Sequence, residues 1–448
     1  MRIRPSNPGH KREEGIIITL IAIFMLFVVG AMAALSIDVV TFYTARSEAQ
    51  IAADSAALAA ARVLANSGIT SSGGATDPGP TETLAQSIAT QVAQRNLIGG
   101  STPQVTVNIS LGNLNNPTVT VKVTRTDLPT FFARIWGTST VAVSASAIAE
   151  AYNPSGLASG SSAISASPVE SSCVKPWLLP NIDPSLTSAT GNIFDPGTGA
   201  IQAPGLLGWQ SLGPPPMPGT SVSVACPLGD CSGTLASSVW QYFPGDPETF
   251  TASSSSFSCP YSANFTPYQY SIAGCVQTPI ACNQSIPIDR SNYGTRDSET
   301  ALAVDCLIHS YTNNCDALPP KSCTPDGDSV DTNTSPPFEF LTGGLNPLVP
   351  KVLPALTDVM TSDSLVTVPV FDSSTPLGTS VKVIGFVQLF LQPNGSKVEA
   401  GGGISQYKIR TMVINMVGCG AQMPSGNAVY GNGPSAVPVR LIATPTAN

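Results

Sequence analysis

GIIITLIAIFMLFVVGAMAALSIDVVTFYTARSEAQIAADSAALAAAR, residues 15–62, opens as an uncharged apolar run and passes without a break into an alanine-rich amphipathic stretch. From Ile16 to Ile37 there is neither a charge nor a proline, and about 20 such residues in an α-helix cross the ~30 Å hydrocarbon core of a bilayer. The sequence therefore predicts one transmembrane helix over residues 16–37. Arg2, Arg4, Lys11 and Arg12 precede it, whereas the first basic residue after it is Arg46. That asymmetry predicts a cytoplasmic tail over 1–15 and export of the rest of the chain. The rival reading is a cleaved signal peptide, with Ala31-Met32-Ala33 as an A-x-A site. Signal cores are usually ~7–15 residues long, and no breaker separates this longer run from the helix that follows it.

Outward from the run, Val39 to Asn66 holds no proline or glycine and is dense in alanine, so the helix is expected to continue to Ser67-Gly68 as one rod of ~75 Å. Along it Ala45, Ala49, Ala53, Ala57 and Ala61 recur every four residues. They make a smooth face against which another helix or a sheet can pack closely. Arg46, Gln50 and Asp54 follow the same spacing and form either an i,i+4 stabilising ladder or part of a docking surface. Together with Asp38 at the end of the apolar run, these residues are the candidates for contact with a partner.

Next come a turn region, GITSSGGATDPGP, and a second helix capped at Thr81 and running to about Leu97. Alternating segments at 105–111, 117–124 and 138–149 read as strands, with a short helix over Pro129–Trp136. Residues 38–151 thus form a small α+β neck, and 152–169, rich in Ser, Gly and Ala, read as a linker. Residues 170–448 carry every cysteine, many turn dipeptides and β-rich runs at 364–371, 381–391, 407–417 and 436–442. They predict a β-dominated, loop-rich, disulfide-bonded ectodomain, with a helix over Pro347–Met360.

The ten cysteines are Cys173, Cys226, Cys231, Cys259, Cys275, Cys282, Cys306, Cys315, Cys323 and Cys419. An even number in an exported segment reads as up to five disulfides of unassigned pairing. Their spacings are not zinc knuckles, and His309 is the one histidine beyond the apolar run. The net charge of -8 and the scattered Lys and Arg give no footprint for nucleic acid. There is no G-x-S-x-G elbow, H-E-x-x-H pair or phosphate loop, and a lone histidine beside an apolar run is more often packed or at the surface than a base. The cluster Asp326-Gly-Asp328-Ser-Val-Asp331-Thr-Asn333 has oxygen donors for calcium but departs from an EF-hand, and serves equally as a solvated turn. No catalytic residue, metal site or cofactor is expected.

Gly15 opening the apolar run, Asp38 at its end, Tyr43, Arg46 and Gln50-x-Ala-Ala-Asp54-x-Ala-Ala-Leu-Ala-Ala-Ala61 together resemble the N-terminal segment of the TadE/TadG-like proteins of the Tad (tight adherence) pilus-assembly family. The segment 129–151 is similar to the way those proteins close their first domain, and the runs VTVPVFDSS and VKVIGFVQLFL resemble the tail of longer TadG-like members. The resemblance implies a bacterial inner-membrane protein that assists assembly or anchoring of Flp-type adhesive pili by protein contact, with Tad or other envelope proteins as partners and an oligomer admissible. Two departures stand out. Asp183-Pro-Ser185-Leu-Thr187 is only a loose echo of a von Willebrand A metal motif, and Leu20 stands where a prepilin peptidase site would place Glu after Gly15. The alternatives are a surface adhesin or ligand-binding module on a borrowed anchor and, third, a membrane-tethered hydrolase.

Overall fold

No proline interrupts residues 10–66, and in the computed structural model they form a single helix, α1 (His10–Asn66), of 57 residues, about 85 Å long. The structure describes residues 10–73, 79–137, 139–155, 169–184, 191–213, 239–252, 264–289, 293–309, 327–331, 336–346, 349, 358–359, 362–374, 377–392, 398, 409–419, 429–431 and 435–442. The helix ends where the sequence predicts. Gly68 adopts φ +84°, the left-handed conformation that glycine takes at helix C-termini, and a 3-10 turn follows at Ile69–Ser71.

A second helix, α2 (Gly79–Arg95), begins two residues before the expected cap, and Thr81 lies buried within its first turn. Pro80 explains the earlier start, because its fixed φ and missing N–H suit the first helical turn. Three strands follow: β1 (Gln104–Ser110), β2 (Thr118–Pro129) and β3 (Thr140–Ala151). The expected short helix between β2 and β3 is a 3-10 turn, Ala133–Trp136.

The chain beyond this neck forms β4 (Val169–Ser171), β5 (Trp177–Pro180), β6 (Gly208–Gly213), β7 (Val239–Gln241) and β8 (Phe243–Pro244). Then come α3 (Pro267–Ala273), β9 (Ile280–Ala281), β10 (Ser285–Pro287), α4 (Tyr293–Leu307), β11 (Ser329–Val330), β12 (Phe340–Leu341) and β13 (Asp358–Val359). The last elements are β14 (Leu365–Phe371), β15 (Ser380–Leu391), β16 (Ile409–Gly418), β17 (Val429–Gly431) and β18 (Val439–Ile442). Most of the helix expected over Pro347–Met360 lies outside the described residues; Asp358 and Val359, at its end, pair in β13 with β12.

The neck is a two-layer unit. Its sheet runs β1-β2-β3-β18, antiparallel throughout, so the fourth strand comes from the far end of the chain. The alanines of α1 and Ala85, Ala89 and Ala93 of α2 pack on Val119, Val121, Val123, Ala147 and Ala149 of the sheet. Small side chains let helix and sheet backbones approach closely, which is why alanine serves here where a longer residue would hold the layers apart.

The head is built on a sheet of order β7-β6-β16-β15-β14-β5-β8, with β10 paired to β15. All seven residues of β14, LVTVPVF, are buried, as expected of a strand covered on both faces. One face packs on α3 and α4 through Tyr268, Ile272, Ala303, Val304 and Leu307. The other meets the small sheet β11-β12-β13, where Phe340 stacks on Phe390 with ring centres 5.2 Å apart. Two disulfides, Cys173–Cys275 and Cys282–Cys419, tie its loops together, and Cys306 is disulfide-bonded as well. Cys226, Cys231, Cys259, Cys315 and Cys323 lie outside the described residues.

Candidate functional site

Asp38 is the first ionisable residue after the apolar run, and a carboxylate at that depth is costly unless it is hydrogen-bonded. It is buried, and its oxygens accept the backbone N–H groups of Phe131 at 2.9 Å, Phe132 at 3.1 Å and Ala133 at 2.8 Å. These donors open a helical turn, so they have no partner within it. The β2–β3 connection is thereby fastened to α1 at the end of the apolar run. The sequence singled out Asp38 but not this partner; the signal was the short helix at PTFFARIW, whose first N–H groups must find acceptors outside it.

About two turns further along, the alanine face meets the chain's own sheet. Ala45, Ala49, Ala53, Ala57 and Ala61 are all at most 1 % exposed, covered by α2 and the neck strands. Arg46 is exposed. Gln50 donates to Asp54 at 2.7 Å, an i,i+4 pair, and lies 3.5 Å from the Ser146 carbonyl of β3. Glu48 accepts the N–H of Gly99 at 2.6 Å, and Arg125 reaches the carbonyls of Ile98 and Gly99. These bonds hold the α2–β1 connection to both α1 and β2.

The other end of α1 enters a buried polar joint with the head. Opposite Gln388 and Leu389 of β15, strand β16 presents Asn415 and then Val413, so Ile414 is an extra residue and the strand bulges. Bulges re-aim side chains. Here Asn415 donates to the Ala65 carbonyl at 2.5 Å and to Gln388 Oε1 at 2.6 Å, and accepts from Thr70 Oγ1 at 3.1 Å. Ser71 Oγ accepts the N–H of Met416 at 2.9 Å, while Asn153, from the end of the neck sheet, donates to the carbonyls of Thr70 at 3.1 Å and Met416 at 3.0 Å. Gln388 lies 3.4 Å from Asn66 Oδ1, and the Phe338 N–H donates to the Ser67 carbonyl at 2.8 Å. Asn66, Ser67, Thr70, Ser71, Asn153, Gln388 and Asn415 are all at most 3 % exposed. A network this fully satisfied in a low-dielectric interior is rigid and selects one arrangement. Rod, neck and head are therefore joined by directional bonds as well as by apolar contact.

Elsewhere in the head, Lys175 is buried and donates to the Gly274 carbonyl at 2.5 Å. Burial pushes its amine down to about 7, against a smaller upward pull from Asp363. His309, expected to be packed or at the surface, is 9 % exposed and sits 2.9 Å from Asp363 Oδ2. That hydrogen bond holds the Asp363 carboxyl below its ordinary value. Asp328, from the acidic cluster, is buried, and its carboxylate accepts from Gly343 N at 2.8 Å, Asn346 Nδ2 at 2.9 Å and Ser362 Oγ at 2.6 Å. In this structure that carboxylate staples three loops. Asp183 is buried, while Ser185 and Thr187 lie outside the described residues.

The portion of α1 that meets none of these partners is the apolar run as far as Ala33, the next residue, Ala34, being buried. Its helix carries a window of mean hydropathy 2.9, none of it covered by the rest of the protein. An apolar helix standing clear of an α+β neck and a disulfide-bonded β-rich head is the build of a single-pass, membrane-anchored protein. Residues 17–63 match the model of the Tad family, described as Flp pilus-assembly TadE/G-like. The matched segment contains Asp38 and the whole alanine row and stops just short of the polar joint. No curated protein and no solved structure matches the chain.

Proposed function

We propose that this protein is an inner-membrane assembly or anchoring factor of Flp/Tad-type adhesive pili, acting by protein contact and without catalysis. In this reading residues 1–15 are cytoplasmic, 16–37 span the membrane, and neck and head stand on the exported side. The observation that carries it is the family match on 17–63 combined with an unbroken helix from the apolar run into the neck. The basic residues before the run favour this orientation, and disulfides favour an oxidising compartment. The polar joint suits a positioning role, because a head bonded to the rod keeps a fixed height and orientation above the bilayer.

The test is a mild crosslink and pull-down from native membranes through a C-terminal tag, read by mass spectrometry with the intact mass of the purified protein. Recovery of pilus-assembly components with residues 1–40 retained supports the proposal. A mature form starting near Ala34 that brings down no such component overturns it and points to a released adhesin or enzyme.

A further inference from the structure

Three observations meet at the end of the apolar run. Residues 16–37 as a helix measure ~33 Å, close to the ~30 Å of the hydrocarbon core, so Asp38 falls at its boundary. The Asp38 carboxylate then fixes the β2–β3 connection at that same depth through Phe131, Phe132 and Ala133. That connection is apolar, aromatic and singly basic, Phe131-Phe132-Ala133-Arg134-Ile135-Trp136, yet Phe131 is 62 % exposed and Arg134 is exposed. Tyr43, just over one turn further along α1, is 73 % exposed. Most of this large apolar ring of Phe131 is left uncovered by the described residues.

We infer that the β2–β3 connection is a second membrane contact, an interfacial loop whose Phe131 ring enters the headgroup–acyl boundary of the leaflet from which α1 emerges. Aromatic side chains concentrate at that depth, and an arginine beside them keeps its guanidinium among lipid phosphates while its stem lies along the apolar edge. Asp38 acts here as a positioning residue. By taking three N–H groups it removes the polar cost of bringing the loop's backbone to the membrane surface. The loop and α1 are two points of attachment, so the neck cannot pivot freely about the rod. This inference rests on the membrane-anchored reading, and its test separates the two.

The photoreactive analogue p-benzoylphenylalanine is placed, one position at a time, at Phe131, Phe27 or Leu441 of the full chain in vesicles of phosphatidylethanolamine and phosphatidylglycerol. Phe27 is 71 % exposed in the middle of the apolar run, and Leu441 is 42 % exposed on β18. Leu441 pairs with Ala149, far from the β3 end that adjoins the loop, at ~30 Å along the strand. Lipid adducts after irradiation are counted by mass spectrometry. Adducts at position 131 within about threefold of those at 27, and about tenfold above those at 441, support an interfacial loop. Adducts at 27 with position 131 no higher than 441 overturn it while leaving the anchor intact. Absence of adducts at 27 overturns the anchored reading and the loop contact with it.

Discussion

Replacing Gly68 by alanine tests whether the end of α1 is wedged against the bulge of β16. A Cβ built at this position lies 2.6 Å from the Ile414 carbonyl oxygen and 3.0 Å from the Phe338 ring, on a backbone at φ +84°. The substitution therefore meets two separate penalties, and Gly100 isolates one of them. Gly100 has φ +83° but nothing within 4 Å of its added Cβ, so Gly100→Ala carries only the left-handed strain of about 1–2 kcal/mol. Part of that strain is offset by the ~0.4–1 kcal/mol gained from a stiffer unfolded chain. Gly68→Ala carries the same difference plus the overlap. An ordinary contact would need the Ile414 carbonyl to retreat by almost an ångström, but Asn415 beside it is held by Ala65, Gln388 and Thr70. Overpacking of this kind costs roughly 1–3 kcal/mol, so Gly68→Ala should lose about 1–3 kcal/mol more than Gly100→Ala. Urea unfolding of the full chain in detergent micelles, followed by tryptophan fluorescence, measures both variants under one condition. Equal losses within about 0.5 kcal/mol would refute the close approach of helix and bulge.

Leucine in place of Ala53 should overpack the interface between α1 and the neck sheet, lowering stability by about 1–3 kcal/mol. Membrane insertion should remain unchanged, as read by carbonate extraction beside a thermal melt. For Lys175 the folded amine titrates near 7 against an ordinary 10.5. The unfolded chain therefore binds more protons between those values, and stability should rise from pH 7 to 9, by at most ~1.4 kcal/mol per pH unit, and flatten below 7. Lys175→Met should abolish the slope, as seen in denaturation midpoints at each pH. Serine at both Cys282 and Cys419 opens a link spanning 137 residues, and should cost ~2–5 kcal/mol, read as the shift between variant and parent in nonreducing buffer.

Local patterns foretold local structure. The rod and its stop at Gly68, the alternating β1, β2 and β3, and the apolar β14, β15 and β16 follow from periodicity and composition that act within a few residues. Pairing between distant segments left no such trace. β18 looks like one more strand of the head, because nothing in VRLI reveals that its partner is β3 in the neck. The alanine row announced a close-packed face, but not that α2 and the chain's own sheet cover it. The polar joint was the least legible part. Asn153 sits in a stretch that reads as linker, and Asn415 lies inside an apolar run, where it becomes meaningful only once a bulge turns it toward Ala65 and Thr70.

The pairing of β18 with β3 also orders events in time. The first three strands and both helices of the neck are complete by Ala151, yet the edge of β3 beside Glu150 gains its neighbour, and the Arg440–Glu150 ion pair, only after residues 439–442 have been synthesised. Until then a row of backbone donors and acceptors on β3 is open to mispairing or to a chaperone. β18 thus works as a latch, closing the first unit only after the intervening head has been made.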